Sequence, residues 1–344
     1  MTPYIRDAAA EAAGVTPTSV RVSLRPALSY QSNRLYDAYA GNRHLIVKEF
    51  LKPEEYDEAP LREFEGLRLV ARLDVAPRPL LRRSHGAHSR PLVVYDFMSG
   101  EMWDRRRPSP DELKHLASVW LMINNVTAEK LWNSRGSETP LSVKMERFGE
   151  IFGQYAGWAQ AAFPAGLRAA EMCLTLLKQR ASEIGELAEG SPSLCFCRAD
   201  ARFANVIARP DGRLGLVDWE DCGLRDAAQD LADIVTAPNQ EDLLEWEEWQ
   251  PFLQPYLAGH TAQDPGLPRR MHLYLALYPL AWLGWLLSAG VTRAKGGELE
   301  QWMIHEMAPN EKLRRYLARA TAWPNPDFGN ELETLVDVEF FPEA

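Results

Sequence analysis

Apolar positions in the first third of the chain fall into short runs, and the turns between them are written in small or polar residues. Leu45-Ile46-Val47 leads into Lys48, and Arg34–Ala40 precedes it across Gly41-Asn42, which predicts a β-hairpin. Arg90–Met98 predicts a further apolar strand, and Ser99-Gly100 is a natural break after it. Between them, Leu61, Phe64, Leu67 and Val70 or Ala71 recur at helical spacing, so a helix is expected there. The region from Glu101 to Gly190 is helical in pattern and rich in aromatics. Within it Ser109-Pro110-Asp111-Glu112 reads as a helix start, with Ser109 or Pro110 near the cap and Leu113, Leu116, Val119 and Trp120 at helical spacing. Asn133–Pro140 reads as a loop. Farther along, Val206–Arg209 and Arg213–Val217 flank Pro210-Asp211-Gly212, a second hairpin with a defined turn.

That second hairpin carries the chemistry. With its turn near Asp211, Asn205 lies opposite Val217 or Asp218, so an amide and a carboxylate share the open end. Magnesium accepts a few oxygen ligands and keeps water and phosphate for the rest, so Asn205 and Asp218 are an adequate metal pair. Asp200 lies five positions before Asn205, on the loop entering the hairpin. A carboxylate there can orient and deprotonate a hydroxyl, and the three together form a phosphoryl-transfer set.

Composition narrows the partners. The chain has 344 residues, 46% of them hydrophobic, enough for two packed lobes, and its formal net charge is −10. A phosphate backbone needs a basic surface, so nucleic acid is not an expected partner; a cationic small molecule would suit the charge. Residues 1–14 lack the apolar core of a targeting signal, and a cytoplasmic protein is expected. Leu273–Val291 carries no charge and approaches bilayer-spanning length, but Tyr274, Pro279, Gly284 and Ser288 fit a buried helix better, so no membrane span is expected. Cys195 and Cys197 alternate onto one side of a strand near Cys222; without a C-x-x-C pair they read as small buried residues rather than a metal site.

The stretch Asp200 through Asn205, Val217-Asp218-Trp219-Glu220 and Asp226–Ala232 resembles the aminoglycoside phosphotransferase and choline kinase family. The resemblance implies an α+β, two-lobed protein-kinase-like fold, with a small antiparallel-sheet lobe over residues 1–98 and a larger, mostly helical lobe over 99–344. It also implies ATP or GTP and Mg²⁺ as cofactors, Asp200 as the catalytic base, and Asn205 and Asp218 as the metal ligands. Lys48 then matches the strand lysine that contacts the α- and β-phosphates. Glu63 is its carboxylate partner, with Glu65 as the alternative. The nucleotide-covering turn falls at Ser29–Asn33, where no glycine is present and Ser32 is expected to reach the phosphates. Asp96 and Met98 are the expected adenine contacts, and Glu220 is expected to assist metal or substrate. Asp230 matches the aspartate that braces the catalytic loop, and Asp226 is read as a helix cap.

Two residues depart from the pattern. Arg198 stands where the family has His, and Ala199 where it has Gly, a small cost unless that position needs positive φ. The interval from Asp218 to Asp226 is too short for an activation loop, which points away from a protein substrate. The expected activity is phosphorylation of a hydroxyl on a small molecule. Arg198 and the glycine-free turn motivate the alternative of a nucleotide-binding regulator with little catalysis. Glu241–Trp249 mixes acidic and indole groups that could bind a cationic acceptor, although a solvated helix face with packed tryptophans explains it more simply. Acceptor identity and oligomeric state stay open.

Overall fold

The computed structural model describes residues 3–26, 33–86, 89–104, 106–127, 132–133, 141–162, 194–237, 240, 243–260 and 263–272, with 171, 175, 178, 274, 275, 278 and 282. Five antiparallel strands form the first sheet: β1 (Val20–Leu24), β2 (Arg34–Ala40), β3 (Arg43–Glu49), β4 (Pro79–Arg83) and β5 (Leu92–Asp96), in the order β1-β2-β3-β5-β4. The expected hairpin pairs Leu35 with Lys48 and turns at Gly41, whose φ of 62° suits glycine. Alternation along β3 then sorts the side chains. Leu45 and Val47 join the core beneath α1 (Pro3–Ala13), together with Ile5, Ala8 and Ala9. Ile46 and Lys48 face the other way, and Ile46 belongs to the larger core.

The predicted helix is α2, Ala59–Val70, and of its periodic apolar residues Leu67 and Val70 are buried while Phe64 packs half-buried on the core. Its buried residues are Ala59, Pro60, Glu63, Gly66, Leu67 and Val70, whereas Leu61 is 43% exposed and Ala71 lies outside the helix on the surface. Two further buried positions are ones that hydrophobic periodicity does not register. Gly66 sits where an added Cβ would come within 2.3 Å of Cys222 Sγ, and Glu63 is a buried charge with partners of its own.

The chain leaves the first sheet at Asp96 and joins a second one at β6 (Glu101–Met102), which pairs with β8 (Val206–Ala208), itself paired with β9 (Leu214–Leu216). Gly100 makes that passage. Its φ is 149°, and a Cβ there would lie 2.4 Å from the Ala208 carbonyl oxygen. The β8–β9 hairpin turns at Gly212 and places the Asn205 carbonyl 3.0 Å from the Val217 amide, the register expected from sequence.

Helix α3, Pro110–Asn124, starts with the predicted cap. Ser109 Oγ accepts from the Glu112 amide, and the Glu112 carboxylate accepts from the Ser109 amide at 2.8 Å. Leu113, Leu116, Val119 and Trp120 are buried, as their spacing predicted. Helix α4 (Leu141–Ala162) follows; then β7 (Leu194–Cys197) pairs with β10 (Gly223–Asp226), which runs into the helix Ala227–Thr236. A further helix, Gln250–His260, packs on α3. Residues 134–140 of the predicted loop and most of Leu273–Val291 lie outside the described residues. Among the described residues no helix is long and apolar enough to cross a membrane.

Candidate active site

The site is built from all three sheets. β3 and α2 bring Lys48 and Glu63; the loop after β7 brings Asp200; the ends of the β8–β9 hairpin bring Asn205 and Asp218. Lys48, Asp200, Asn205, Asp218, Glu220 and Met98 all line one cavity of about 470 Å³.

Lys48 is its electrostatic centre. The ammonium lies 3.1 Å from Glu63 Oε2 and 2.9 Å from Glu220 Oε2, and it also contacts Asp218 Oδ1. Burial alone would lower the Lys48 pKa; Asp218, Glu220 and Glu63 outweigh it and hold the group charged. Glu63 Oε2 also accepts from the Trp219 amide at 2.8 Å, so one carboxylate fixes both the lysine and the segment after Asp218. Glu65, the alternative partner, pairs instead with Arg68 on the surface. Glu220 is raised to about 8 by burial, with Lys48 opposing. Asp218 is more open; desolvation opposes its ionisation, and Lys48 prevails, holding it below the usual carboxylate range.

The loop carrying Asp200 is clamped on three sides. Asp230 accepts from the Ala199 amide at 3.1 Å with one oxygen and from Trp120 Nε1 at 2.9 Å with the other. The bracing residue expected from sequence is therefore in place. Arg225, also buried, reaches the Ala199 carbonyl at 3.3 Å and Asp233 at 3.1 Å. Arg198 is 1% exposed and donates to the carbonyl oxygens of Val217 and Asp218, at 2.5 and 2.9 Å through Nη2. The substitution of Arg for His thus keeps the loop tied to the strand end that carries Asp218. Ala199 does need positive φ, at 66°, so the absence of glycine carries its full cost here. Asp218 is left-handed as well, at 65°.

Both oxygens of Asp200 are engaged. Oδ1 accepts from Arg202 Nε at 2.9 Å and Oδ2 from Asn205 Nδ2 at 2.8 Å. An amide and carboxylates are hard oxygen donors, so the set Asn205, Asp218 and Glu220 fits magnesium and gives no soft ligand to zinc or copper. Among the described residues Glu63, Asp218 and Glu220 also gather ligand oxygens within 4.8 Å of one another.

Other expected residues are placed as follows. Ser32, like Ser29, lies outside the described residues. Asn33, which follows them, donates to Glu220 Oε2 at 2.7 Å, a link from the start of β2 to the acidic cluster that the sequence did not signal. The Asp96 side chain turns to Arg43 and Arg78, at 2.9 and 2.8 Å, while Tyr95, Phe97 and Met98 line the cavity. Asp226 caps its helix through the Ala228 amide and also holds Arg270. Cys195 and Cys197 are free thiols pointing the same way, Sγ to Sγ 3.6 Å apart, and Cys197 is buried. In the acidic segment Glu248 caps the turn at Glu245 and pairs with Arg107, while Trp249 is buried against Phe203 and Phe252. Glu241 and Asp242 lie outside the described residues.

Known structures share this fold. Solved structures with a similar fold include a choline/ethanolamine kinase family protein from Mesorhizobium loti, 17% identical, covering 97% of this chain and 99% of that one, with a TM-score of 0.59. Choline kinase LicA from Streptococcus pneumoniae is 18% identical, covering 88% of this chain and 94% of that one, with a TM-score of 0.57. Spectinomycin phosphotransferase APH(9)-Ia, solved with ADP and spectinomycin, is 13% identical, covering 93% of each chain, with a TM-score of 0.53. A sequence search of curated proteins found no match. The sequence profile of the phosphotransferase enzyme family matches residues 23–274, most of the chain. On that match and on its kinase-like α+β fold, the chain belongs to the phosphotransferase enzyme family.

Proposed function

We propose that the protein transfers the γ-phosphoryl group of ATP, with Mg²⁺, to a hydroxyl of a small molecule. The single observation that carries this reading is the convergence of Lys48, Asp200, Asn205 and Asp218 on one cavity. In this reading residues 1–98 form the nucleotide-binding lobe and residues 99–344 the catalytic and acceptor-binding lobe. Adenine lies against Tyr95, Phe97 and Met98. Lys48, aimed by Glu63, holds the α- and β-phosphates, and Ser32 supports the covering turn. Asn205 and Asp218 hold magnesium, with Glu220 beside them; the ion supplies charge neutralisation on the phosphate oxygens.

Asp200 orients the acceptor hydroxyl and takes its proton. As the new O–P bond forms, the bond from the γ-phosphorus to its bridging oxygen breaks, and ADP leaves with that electron pair. Most of the rate then comes from positioning and electrostatics rather than from covalent catalysis. Choline, ethanolamine and spectinomycin, named for the similar structures, support hydroxylated amines as the first acceptors to try, and the net charge of −10 favours a cation. The clamped loop and complete donor set favour turnover over a purely regulatory role.

The test is a thermal shift with Mg-ATP and Mg-GTP, then mass spectrometry of an acceptor panel of amino alcohols, aminoglycosides and sugars. A shift with at least one phosphorylated acceptor is expected. A shift without any product would favour the regulator, and no shift with either nucleotide would remove the nucleotide reading.

A further inference from the structure

Asp200 stands between two backbone carbonyls, each held by a buried side chain. The Ala199 carbonyl, on the peptide that enters Asp200, accepts from Arg225 Nη1 at 3.3 Å. The Ala201 carbonyl, one residue beyond, accepts from Gln240 Nε2 at 2.6 Å. Both donors are buried, Gln240 completely, and neither lines the cavity. Their reach is therefore to the loop of the base rather than to a ligand.

Both are anchored to the scaffold on their other sides. Arg225, on β10, also meets Asp233 at 3.1 Å, Asp230 at 3.5 Å and the Tyr278 hydroxyl. Gln240 lies beyond the helix Ala227–Thr236, and its Nε2 donates a second time to the Ile234 carbonyl at 2.9 Å. Its backbone is tied in turn, the amide to Ala237 and the carbonyl to the Leu243 and Leu244 amides. Two carbonyl acceptors on one end of the side chain call for a nitrogen there, so an acceptor-only group cannot replace it. What these bonds hold is under strain, because Ala199 has φ of 66°. Released, the peptide can rotate towards the right-handed region and carry the Asp200 carboxylate out of line. A displacement of about 1 Å is enough to slow a positioned reaction roughly a hundredfold.

Resting on the phosphotransferase reading, we propose that Arg225 and Gln240 are positioning residues: they fix the carbonyls on either side of Asp200 and so aim its carboxylate at the acceptor hydroxyl. Their effect on turnover passes through Asp200.

The test uses Gln240→Leu, which removes the donor at similar volume, and Arg225→Lys. The lysine keeps a charge between Asp230 and Asp233 but lacks the fork that also reaches Ala199. Each is made in the wild-type and in the Asp200→Asn background, with melting temperature and Mg-ATP stoichiometry recorded to count folded protein. In the wild-type background each should lower kcat about ten- to a hundredfold, with Mg-ATP affinity and acceptor KM changed by less than about twofold. In Asp200→Asn the residual turnover no longer uses the carboxylate, so the same substitutions should cost less than about twofold. Unchanged kcat in either single variant would remove that residue from the role. Equal losses in both backgrounds would overturn the proposal, since side chains that only hold the fold act regardless of the base. A wild-type protein that phosphorylates no acceptor would take down the proposed function and this proposal with it, whereas an active wild type with additive losses takes down this proposal alone.

Discussion

Arg198 Nη2 donates to the carbonyl oxygen of Asp218 at 2.9 Å, from a side chain almost wholly removed from solvent. Two further bonds reach the Val217 carbonyl, so one guanidinium joins the loop of the base to the strand end of the proposed metal ligand. Arg198→Ala would strip these carbonyls of their donor and leave a hole. A loss of about 2–4 kcal/mol is expected in urea denaturation, from unsatisfied buried acceptors. Arg198→His should recover part of it, because an imidazole can still donate to one carbonyl. Wild-type stability in the alanine variant would show that the clamp is not needed.

Ala199 has φ of 66°, next to Asp200. A left-handed alanine costs on the order of 1–2 kcal/mol, and glycine gives back part of any gain through its freer unfolded chain. Ala199→Gly should therefore be neutral or slightly stabilising. Ala199→Val should be clearly destabilising, since a β-branched side chain resists this conformation. Chemical denaturation of the pair separates the two, and equal stability of the valine variant would rule out strain at this position.

Glu112 gives a pH test away from the active site. Hydrogen bonds from Arg106, at 2.5 and 3.2 Å, and from Ser109 outweigh desolvation and lower it to about 2 from an ordinary 4.5. A carboxylate held below its unfolded pKa adds stability above about 4.5, and this is lost as pH falls towards about 2. The pair is partly solvated, so a contribution of about 1 kcal/mol or less is expected. Urea midpoints of wild type and Glu112→Gln should differ at pH 7 and converge as pH drops through that window. A difference independent of pH would mean that ionisation of Glu112 contributes nothing.

The β3 hairpin, the β8–β9 hairpin and the capped start of α3 were legible in the sequence because each depends on local signals: alternation, a Gly-bearing turn, a Ser-x-x-Glu box. On α2 the apolar period was legible at Leu67 and Val70, whereas the burial of Glu63 and Gly66 has tertiary causes. Glu63 is buried for its lysine, and Gly66 is buried because Cys222 fills the space of its missing side chain. The Asp200–Asn205–Asp218 set could be proposed from spacing, yet the Asn33–Glu220 link and the Arg202–Asp200 ion pair join segments, or engage atoms, that spacing does not specify. The acceptor side was the least legible: the acidic residues that suggested it, Glu245 and Glu248, cap a turn, and Glu248 pairs with Arg107.

The division of labour between Asp200 and Asp218 is tested most directly by measuring Mg-dependent nucleotide affinity and phosphoryl transfer side by side in Asp200→Asn and Asp218→Asn. Asp200→Asn should keep near-normal Mg-ATP affinity and lose about 10²–10⁴ in turnover, the range for removing a positioned base. Asp218→Asn should lose the part of nucleotide affinity that depends on magnesium, and turnover with it. Full turnover in Asp200→Asn, or an undiminished magnesium effect in Asp218→Asn, would contradict the account.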